Sequence, residues 1–309
     1  MTIVERASHL RVTGTPIDVR GDAIEIARQM GILPRLIEER VRMTELVQLV
    51  DGQGRVLADL VPEQISDSPD DLEIARKDLS QILTDALPES VQLTFAESIS
   101  ALHDTGDVVE VTFTSAGQDV HDLVVGADGL HSAVRRPVFG PEENYLKYLG
   151  VYFGITTLPS VPDDGRRSMM YNFPNHPVGY LTYRTGALGF FVFRSEPLHY
   201  DHQDIEAQRR LLREAFSAEG SWKLPDLLDN AQHDEDFYLD SASQIHLPSW
   251  SSGRVVLIGD AAHSAAFISG RGISLALTGT WFLAQALEQH PNDLKAAFAA
   301  YAEQQRPLC

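Results

Sequence analysis

The chain has 309 residues, of which 43% are hydrophobic and 22% are charged, a balance that is ordinary for one or two folded domains. The chain contains 44 Asp and Glu but only 25 Lys and Arg, so its formal charge is −19. This argues against nucleic acid and anionic membranes as partners, because both bind basic surfaces. A single cysteine, Cys309, excludes a disulfide framework, and the lack of a membrane-length apolar run or signal peptide predicts a cytoplasmic protein.

The first third of the chain alternates between strand and helix patterns. Residues 2–6 predict a short strand, residues 22–31 a helix, and residues 45–60 two strands around a Gly-containing turn. Residues 74–79 lead into a predicted helix with apolar residues at helical spacing at 79, 82, 83 and 87. Residues 91–95, 108–113 and 122–126 then predict three strands.

Glu5 closes the first predicted strand. An acidic residue at such a position holds the ribose hydroxyls in dinucleotide-binding units, but there it follows a Gly-x-Gly-x-x-Gly turn and a helix, which do not precede Glu5 here. The residue alone fits a surface carboxylate on an edge strand equally well.

The middle of the chain is rich in predicted strands. The strand at 122–126 is followed by Ala127-Asp128-Gly129 and by a short predicted helix, 130–136, that Pro137 ends. Strands are predicted at 151–158, 178–183 and 188–193. They and their neighbours carry nine aromatic residues that either line an apolar ligand pocket or, for any single one, form ordinary core. A helix at 205–216 and a strand at 237–245 follow.

The most informative stretch is residues 255–274. Four apolar residues predict a buried strand that ends in Gly259-Asp260, and Gly270 and Gly272 then open a helix. Asp260 would lie at the carboxyl end of a strand, where open α/β sheets place their ligands. The N–H groups and dipole of the helix N-terminus favour an anion or an electron-rich ring edge. An aspartate that only caps a helix is the alternative, and the glycine pair favours a cofactor platform instead.

The order of elements predicts an α/β fold in which a cofactor domain with a doubly wound parallel sheet is interrupted by a mostly antiparallel substrate-domain sheet. The expected divisions are a first part of the cofactor-binding domain at 1–80, a second part at 81–140, a β-rich substrate unit at 141–250 and a third part of the cofactor-binding domain at 251–309. A helix at 294–305 ends before Pro307.

Four motifs stand in an order that resembles one known family. They are Val4-Glu5-Arg6-Ala7, the segment from Ile74 to Leu79, Gly126-Ala127-Asp128-Gly129 with Ser132 and Val134-Arg135, and Gly259-Asp260-Ala261-Ala262-His263 with Gly270-Arg271-Gly272. The chain is similar to the FAD-dependent aromatic hydroxylases of the para-hydroxybenzoate hydroxylase type, and is most similar to their tetracycline-inactivating branch. The similarity runs across the whole chain.

The resemblance implies roles for the residues of the first part. Glu5 would bind the adenosine ribose of FAD, with Arg6 beside it. Arg76 would contact the flavin and pyrophosphate side of the cofactor. Asp18 falls where relatives place a polar residue near the flavin.

The resemblance also implies roles for the two aspartate motifs. Asp128 would lie near the pyrophosphate and is linked in the family to the reduced nicotinamide cofactor. Asp260 would hydrogen-bond the ribityl or pyrophosphate part of FAD. The backbone at Gly270, Gly272 and Ile273 would approach the isoalloxazine ring.

The family chemistry implies a monooxygenase that uses FAD, NADPH or NADH, and O2 to hydroxylate a small aromatic or polyketide-like substrate. Flavin carries the oxygen chemistry, so we expect no catalytic side chain and no metal. We expect His263 to be satisfied by backbone hydrogen bonds rather than to act in the reaction. The substrate, the choice of nicotinamide cofactor and the oligomeric state do not follow from the sequence.

The sequence departs from the family pattern in three places. The first βα unit is missing, residues 264–268 lack the one or two prolines that relatives carry, and the chain ends at Cys309 where relatives continue. The helix N-terminus of the missing unit would support the FAD pyrophosphate. We therefore expect the chain to bind FAD weakly or not at all, and a non-catalytic flavoprotein remnant is the alternative function.

Overall fold

The structure is a computed structural model, and it describes residues 1–10, 16–41, 46–60, 71–160, 167–183 and 186–309. The strands are β1 Thr2–Glu5, β2 Ile17–Val19, β3 Leu46–Val50, β4 Val56–Leu60, β5 Leu72–Ile74, β6 Gln92–Phe95, β7 Ile99–Asp104, β8 Val109–Phe113, β9 Gln118–His121, β10 Val124–Gly126, β11 Leu146–Thr157, β12 Arg167–Phe173, β13 His176–Tyr183, β14 Gly186–Arg194, β15 Tyr238–Ile245, β16 Ser251–Ser252 and β17 Val255–Leu257. The helices are α1 Asp22–Gln29, α2 Leu33–Glu38, α3 Arg76–Asp85, α4 Arg135–Phe139, α5 Ile205–Ala215, α6 Leu224–His233, α7 Asp260–His263, α8 Gly272–Gln289 and α9 Leu294–Gln305.

The largest sheet has seven strands in the order β15-β11-β14-β13-β12-β3-β4. Every neighbouring pair is antiparallel except β12 and β3, which run parallel. One face packs on α5 and α6 through an aromatic core. The strands β3 and β4, which lie within the predicted first FAD-binding part, join this sheet. The predicted domain boundaries remain a prediction.

The parallel strands form two separate pieces. In one, β1 pairs with β6; in the other, β10 pairs with β17, and β16 adds to β17 in the antiparallel direction. Among the described strands, no hydrogen-bonded pair joins the two pieces. The mixed α/β fold is confirmed, whereas a single continuous doubly wound sheet is not what the described strands form.

Helix α8 connects two of the three apolar cores. Its first turns pack Ile273 and Leu277 against the core built from β2, β5 and α1 to α3. Its later turns pack Leu283 and Ala286 into the core around β17 and α9. The first turns of α8 are therefore held beside β2 and its later turns beside β17, and this arrangement positions the site.

The helix predicted at 130–136 is wrong. Residues 127–134 form a loop, and α4 begins only at Arg135, so Pro137 lies in its first turn. Proline is tolerated there because the N–H groups of a first turn have no partner within the helix.

None of the helices in the described part of the chain is long and apolar enough to cross a membrane.

Candidate functional site

The turn after β17 presents Asp260. The strand is fully buried, and Gly259 adopts φ 55, so the chain reverses at once into α7, which starts at Asp260. Asp260 is exposed to solvent, yet the protein around its carboxyl group is dense enough that burial raises its pKa, while the charge of Arg76 lowers it in part. We call the space between Asp260, Asp18 and the start of α8 the cleft.

The start of α8 lies beside Asp260 and Asp18. Gly270 has the left-handed φ 64 and Gly272 is the first helical residue. A Cβ added at Gly270 would lie 3.7 Å from Asp18 Oδ2, and one at Gly272 would lie 3.9 Å from Asp260 Oδ1. The two glycines therefore keep the backbone close to two carboxylates, one from β2 and one from the turn after β17.

A serine of α8 fixes β2 against the helix. The backbone N–H of Arg20 donates to Ser274 Oγ at 2.9 Å, and the guanidinium of Arg20 pairs with Asp18 at 2.8 Å. Across the β2–β5 pair, Glu73 stands opposite Asp18. Burial, and then the charge of Asp18, raise the pKa of Glu73 to about 7, although Arg20 opposes them. This side of the cleft therefore carries closely spaced carboxyl groups.

Arg76 is the first residue of α3 and is exposed. Its charge acts on the pKa of both Asp260 and Tyr238, so it lies within electrostatic range of the two. The structure therefore groups Arg76, Asp18, Asp260, Gly270 and Gly272. The side chain of Ile273 packs inward on the first core, which leaves its backbone as the part that faces the helix N-terminus.

Glu5 and Arg6 are not joined to that group by any contact in the described residues. Both are exposed at the end of β1, and Glu5 Oε1 accepts a hydrogen bond from the N–H of Ala7 at 2.8 Å. Their proposed role toward the adenosine ribose stays a prediction.

Asp128 has a local structural task. Its carboxylate accepts from Ser132 Oγ at 2.5 Å and from the N–H of Val134 at 3.0 Å, so both oxygens hold the 127–134 loop in shape. A role near the pyrophosphate, which the resemblance implied, remains a prediction.

Arg135 follows the Asp128 motif in the sequence, where no role is predicted for it. It is 1% exposed, and its guanidinium donates to the carbonyl oxygens of Ala261 at 3.0 Å and Leu130 at 2.6 Å, and to Glu142. It therefore ties the loop of Asp128 to the turn of Asp260. The position of Arg135 beside the Asp-Gly motif was a signal for a structural role. Its partner could not be predicted, because Ala261 lies 126 residues further along the chain.

An apolar surface lies beside the cleft. Phe153 of β11 stacks on Phe267 with ring centroids 4.0 Å apart, and Tyr238 packs 5.9 Å from Phe153. Phe267 is 44% exposed and Ile268 is 60% exposed, both just before the start of α8. Phe153 and five other aromatic residues of the strand-rich segment are buried core, as the alternative interpretation held: Tyr152, Tyr171, Tyr180, Phe191 and Phe193.

His263 is buried against Trp250, and the expectation that hydrogen bonds satisfy its ring is wrong in part. Its Nε2 has no hydrogen-bond partner among the described residues. Burial lowers the pKa of His263 to about 4, so the ring is neutral at pH 7.

The chain was compared with known families and structures. The family model for the FAD binding domain matches residues 1–307. A flavin-dependent monooxygenase of Legionella longbeachae is 34% identical over 309 residues, which covers 97% of this chain and 77% of that protein. A protein of Mycobacterium tuberculosis is 38% identical over 306 residues, covering 97% of this chain and 82% of its own length. The chain is shorter than these relatives.

A solved structure agrees with the sequence comparison. The crystal structure of tetracycline destructase Tet(51) matches with a TM-score of 0.90 and 33% identity, and the match covers 99% of this chain and 79% of that one.

Proposed function

This chain belongs to the FAD binding domain family of flavin-dependent monooxygenases, and from that membership we propose that it hydroxylates an aromatic or polyketide-like small molecule with NAD(P)H and O2. The observation that carries the proposal is one cleft in which Asp260, Arg76 and the glycine start of α8 lie beside the exposed ring of Phe267. Polar groups for a cofactor and an apolar face for a substrate therefore adjoin.

The residues fit FAD. The first N–H groups of α8 have no partner within the helix and attract an electron-rich edge, and Gly270 and Gly272 leave the backbone uncovered there. Asp260 would accept hydrogen bonds from ribityl hydroxyls, and Arg76 would neutralise phosphate charge. Bound FAD would supply the redox chemistry with NAD(P)H and O2. Arg135 and Asp128 would keep the two loops in place.

The apolar face would hold the substrate. The ring of Phe267, exposed on one side and backed by the buried ring of Phe153 on the other, offers a flat face that suits an aromatic or fused-ring molecule. The relative Tet(51) is named a tetracycline destructase, so a tetracycline is a reasonable first probe. We also propose that residues 1–80, 81–140 and 251–309 form the FAD-binding unit around residues 141–250, although β3 and β4 extend the sheet of the latter.

A second candidate is a non-catalytic flavoprotein remnant that binds FAD weakly or not at all. It is favoured by the gap in hydrogen bonding between the β1–β6 piece and the β10–β17 piece, as seen in the described strands. Strand edges that lack partners weaken a sheet that should support the cofactor.

Flavin absorbance of the purified protein after incubation with FAD separates the two candidates. The hydroxylase proposal expects saturable FAD binding, substrate-stimulated oxidation of NADPH or NADH, and binding at least about tenfold weaker in Asp260→Asn, since a charge-assisted hydrogen bond is worth about 1.5 kcal/mol or more. Asp107→Asn, in the exposed turn after β7, is the matched control and should bind like the wild type. Absence of flavin binding would favour the second candidate. Bound flavin without stimulation of NAD(P)H oxidation by a tetracycline or a simple phenol would count against the hydroxylase.

A further inference from the structure

Two histidines and a buried carboxylate meet between the Asp128 loop and the large sheet. His131 Nε2 is 3.2 Å from both oxygens of Asp240, and His202 Nδ1 is 3.8 Å from Asp240 Oδ1. One ligand atom from each of these three residues lies within 4.8 Å of the other two. We call the three residues, together with Glu142, the His131 cluster.

The spacing of the ligand atoms is close to that of a zinc site. Tetrahedral ligands about 2.1 Å from a zinc ion lie roughly 3.4 Å from one another. The distances from Asp240 to His131 and to His202, 3.2 and 3.8 Å, fall on either side of that value. Imidazole nitrogen suits zinc, whereas Mg²⁺ and Ca²⁺ prefer oxygen ligands. The set of two imidazoles and one carboxylate therefore favours a transition-metal ion over the hard cations.

Asp240 is a ligand held in place by its neighbours. It lies on β15 and is only 1% exposed. Its Oδ2 accepts a hydrogen bond from the hydroxyl of Tyr238 at 2.5 Å, and its Oδ1 accepts one from the N–H of Ser241 at 2.7 Å. Each carboxylate oxygen keeps a further lone pair, and carboxylates that bind metal ions are themselves hydrogen-bonded in this way. The buried carboxylate is thus oriented toward the two histidines.

His131 has the outer partner that metal-binding histidines usually have. Its Nδ1 is 2.8 Å from Glu142 Oε1, while its Nε2 faces Asp240. The buried guanidinium of Arg135 holds Glu142 in turn. A carboxylate that accepts the Nδ1–H of a histidine fixes the orientation of the ring and leaves Nε2 as the metal-binding nitrogen. Glu142 is therefore a positioning residue for His131.

His202 is the adjustable member of the cluster. It lies in the segment between β14 and α5, and its side chain is 38% exposed, compared with 22% for His131. Its ring stacks on that of His131 with centroids 3.6 Å apart. A small rotation of this exposed ring brings Nδ1 within coordination distance of an ion at the other two ligands. The exposure of His202 also leaves a fourth position open to water.

We propose that His131 Nε2, His202 Nδ1 and Asp240 bind one zinc ion, with water as the fourth ligand. The ion replaces the proton that His131 Nε2 shares with Asp240, and this proton leaves to solvent. Zinc would link the 127–134 loop, the segment between β14 and α5, and β15. The site is structural: it does not include the residues proposed to bind FAD, and the reaction itself is expected to need no metal. The formal charge of −19 favours the approach of a cation.

Titration calorimetry with zinc alone tests the site at pH 8, on the untagged full chain freed of metal with EDTA and then dialysed. One zinc ion per chain should bind, and excess Mg²⁺ should not compete. His202→Ala and Asp240→Asn should each weaken zinc binding at least about a hundredfold, and Glu142→Gln should weaken it about tenfold or more, as expected for loss of an outer partner. His233→Ala, which removes an exposed histidine beside Asp229 on α6, is the matched control and should bind zinc like the wild type.

Cobalt(II) in place of zinc gives a spectroscopic readout. The wild type and Glu142→Gln should show the strong visible absorption of a four-coordinate ion, and His202→Ala should lose it. Zinc should also raise the midpoint of thermal unfolding in the wild type and in His233→Ala, but not in His202→Ala. Because His202 is exposed, its variant carries the test even where Asp240→Asn unfolds.

Two results would overturn the proposal. One is a wild type that binds no zinc, and the other is zinc binding that His202→Ala leaves unchanged, which would mean an adventitious ion only. Either would leave His131 as an ion-pair partner of two carboxylates. Neither measurement uses FAD or turnover, so failure of the zinc site and failure of the proposed function are separate outcomes.

Discussion

Glu73 offers a quantitative test of the electrostatics beside the cleft. It lies on β5 opposite Asp18 of β2, is half-buried, and has its pKa raised from 4.5 to about 7, chiefly by burial and then by Asp18. Glutamine has nearly the same shape and cannot ionise. Glu73→Gln therefore removes the cost of a carboxylate held in a poor environment without opening a cavity.

The sign and size follow from linkage between proton binding and folding. Because the folded state binds a proton more tightly than the unfolded state, wild-type stability falls as pH rises from 4.5 to 7. The full difference corresponds to about 3 kcal/mol at 1.36 kcal/mol per pKa unit. Since Glu73 keeps some contact with solvent, we expect about half. Glu73→Gln should then exceed wild type by roughly 0.5 kcal/mol at pH 5 and by about 2 kcal/mol at pH 8.

Urea unfolding at several pH values measures this difference directly. Glu110→Gln on β8, where the side chain is exposed, is the control for replacing a glutamate in a strand, and its stability should track the wild type within about 0.5 kcal/mol at every pH. Should Glu73→Gln be no more stable than wild type at pH 8, the closely spaced carboxyl groups beside Asp18 would not exist as described.

Two further variants test neighbouring parts of the site. Asp128→Asn should lower the free energy of unfolding by about 1 to 2 kcal/mol, because the amide has a single, uncharged acceptor oxygen in place of the two carboxylate oxygens that accept from Ser132 and from the N–H of Val134. Urea unfolding at pH 7 measures this loss. An unchanged midpoint would show that the loop does not depend on the carboxylate. His263→Gln should flatten the acid dependence of stability, because a buried ring with a pKa of about 4 costs the folded protein stability below pH 6.5, about 2 kcal/mol at pH 5. Equal pH profiles for wild type and His263→Gln would contradict that burial.

The sequence predicted the parts of the site that depend on neighbouring residues. Gly259-Asp260 after a β-branched run and the Gly270-x-Gly272 start of a helix are local patterns, and each fixes its own strand, turn or helix. Asp18 and Arg76 followed only from the resemblance, because β2, α3 and α8 meet in one apolar core through long-range packing that no local pattern records.

The His131 cluster shows why the rest could not be predicted. Its bond to Asp240 joins residues 109 positions apart, and the order of strands that brings them together depends on the whole fold. One sign was present, since a carboxylate at position 240 in a strand that is otherwise buried needs a partner. The sequence did not say which of 11 histidines supplies it.

The loop before α8 gives a last test, because the resemblance places prolines in residues 264–268 and this chain has none. Ala266 adopts φ 69 and is buried, and its carbonyl accepts bonds from both the N–H and Oγ of Ser269. Proline fixes φ near −65°, so Ala266→Pro should cost about 3 kcal/mol or more and weaken FAD binding, since the loop leads directly into Gly270. Ala266→Gly is the matched control: relief of the left-handed strain is offset by the lost methyl and by greater chain entropy, so its stability should stay within about 1 kcal/mol of wild type. Thermal unfolding of the pair decides the matter. If Ala266→Pro folds with wild-type stability, this loop follows the proline-bearing path of the relatives and not the left-handed turn seen here.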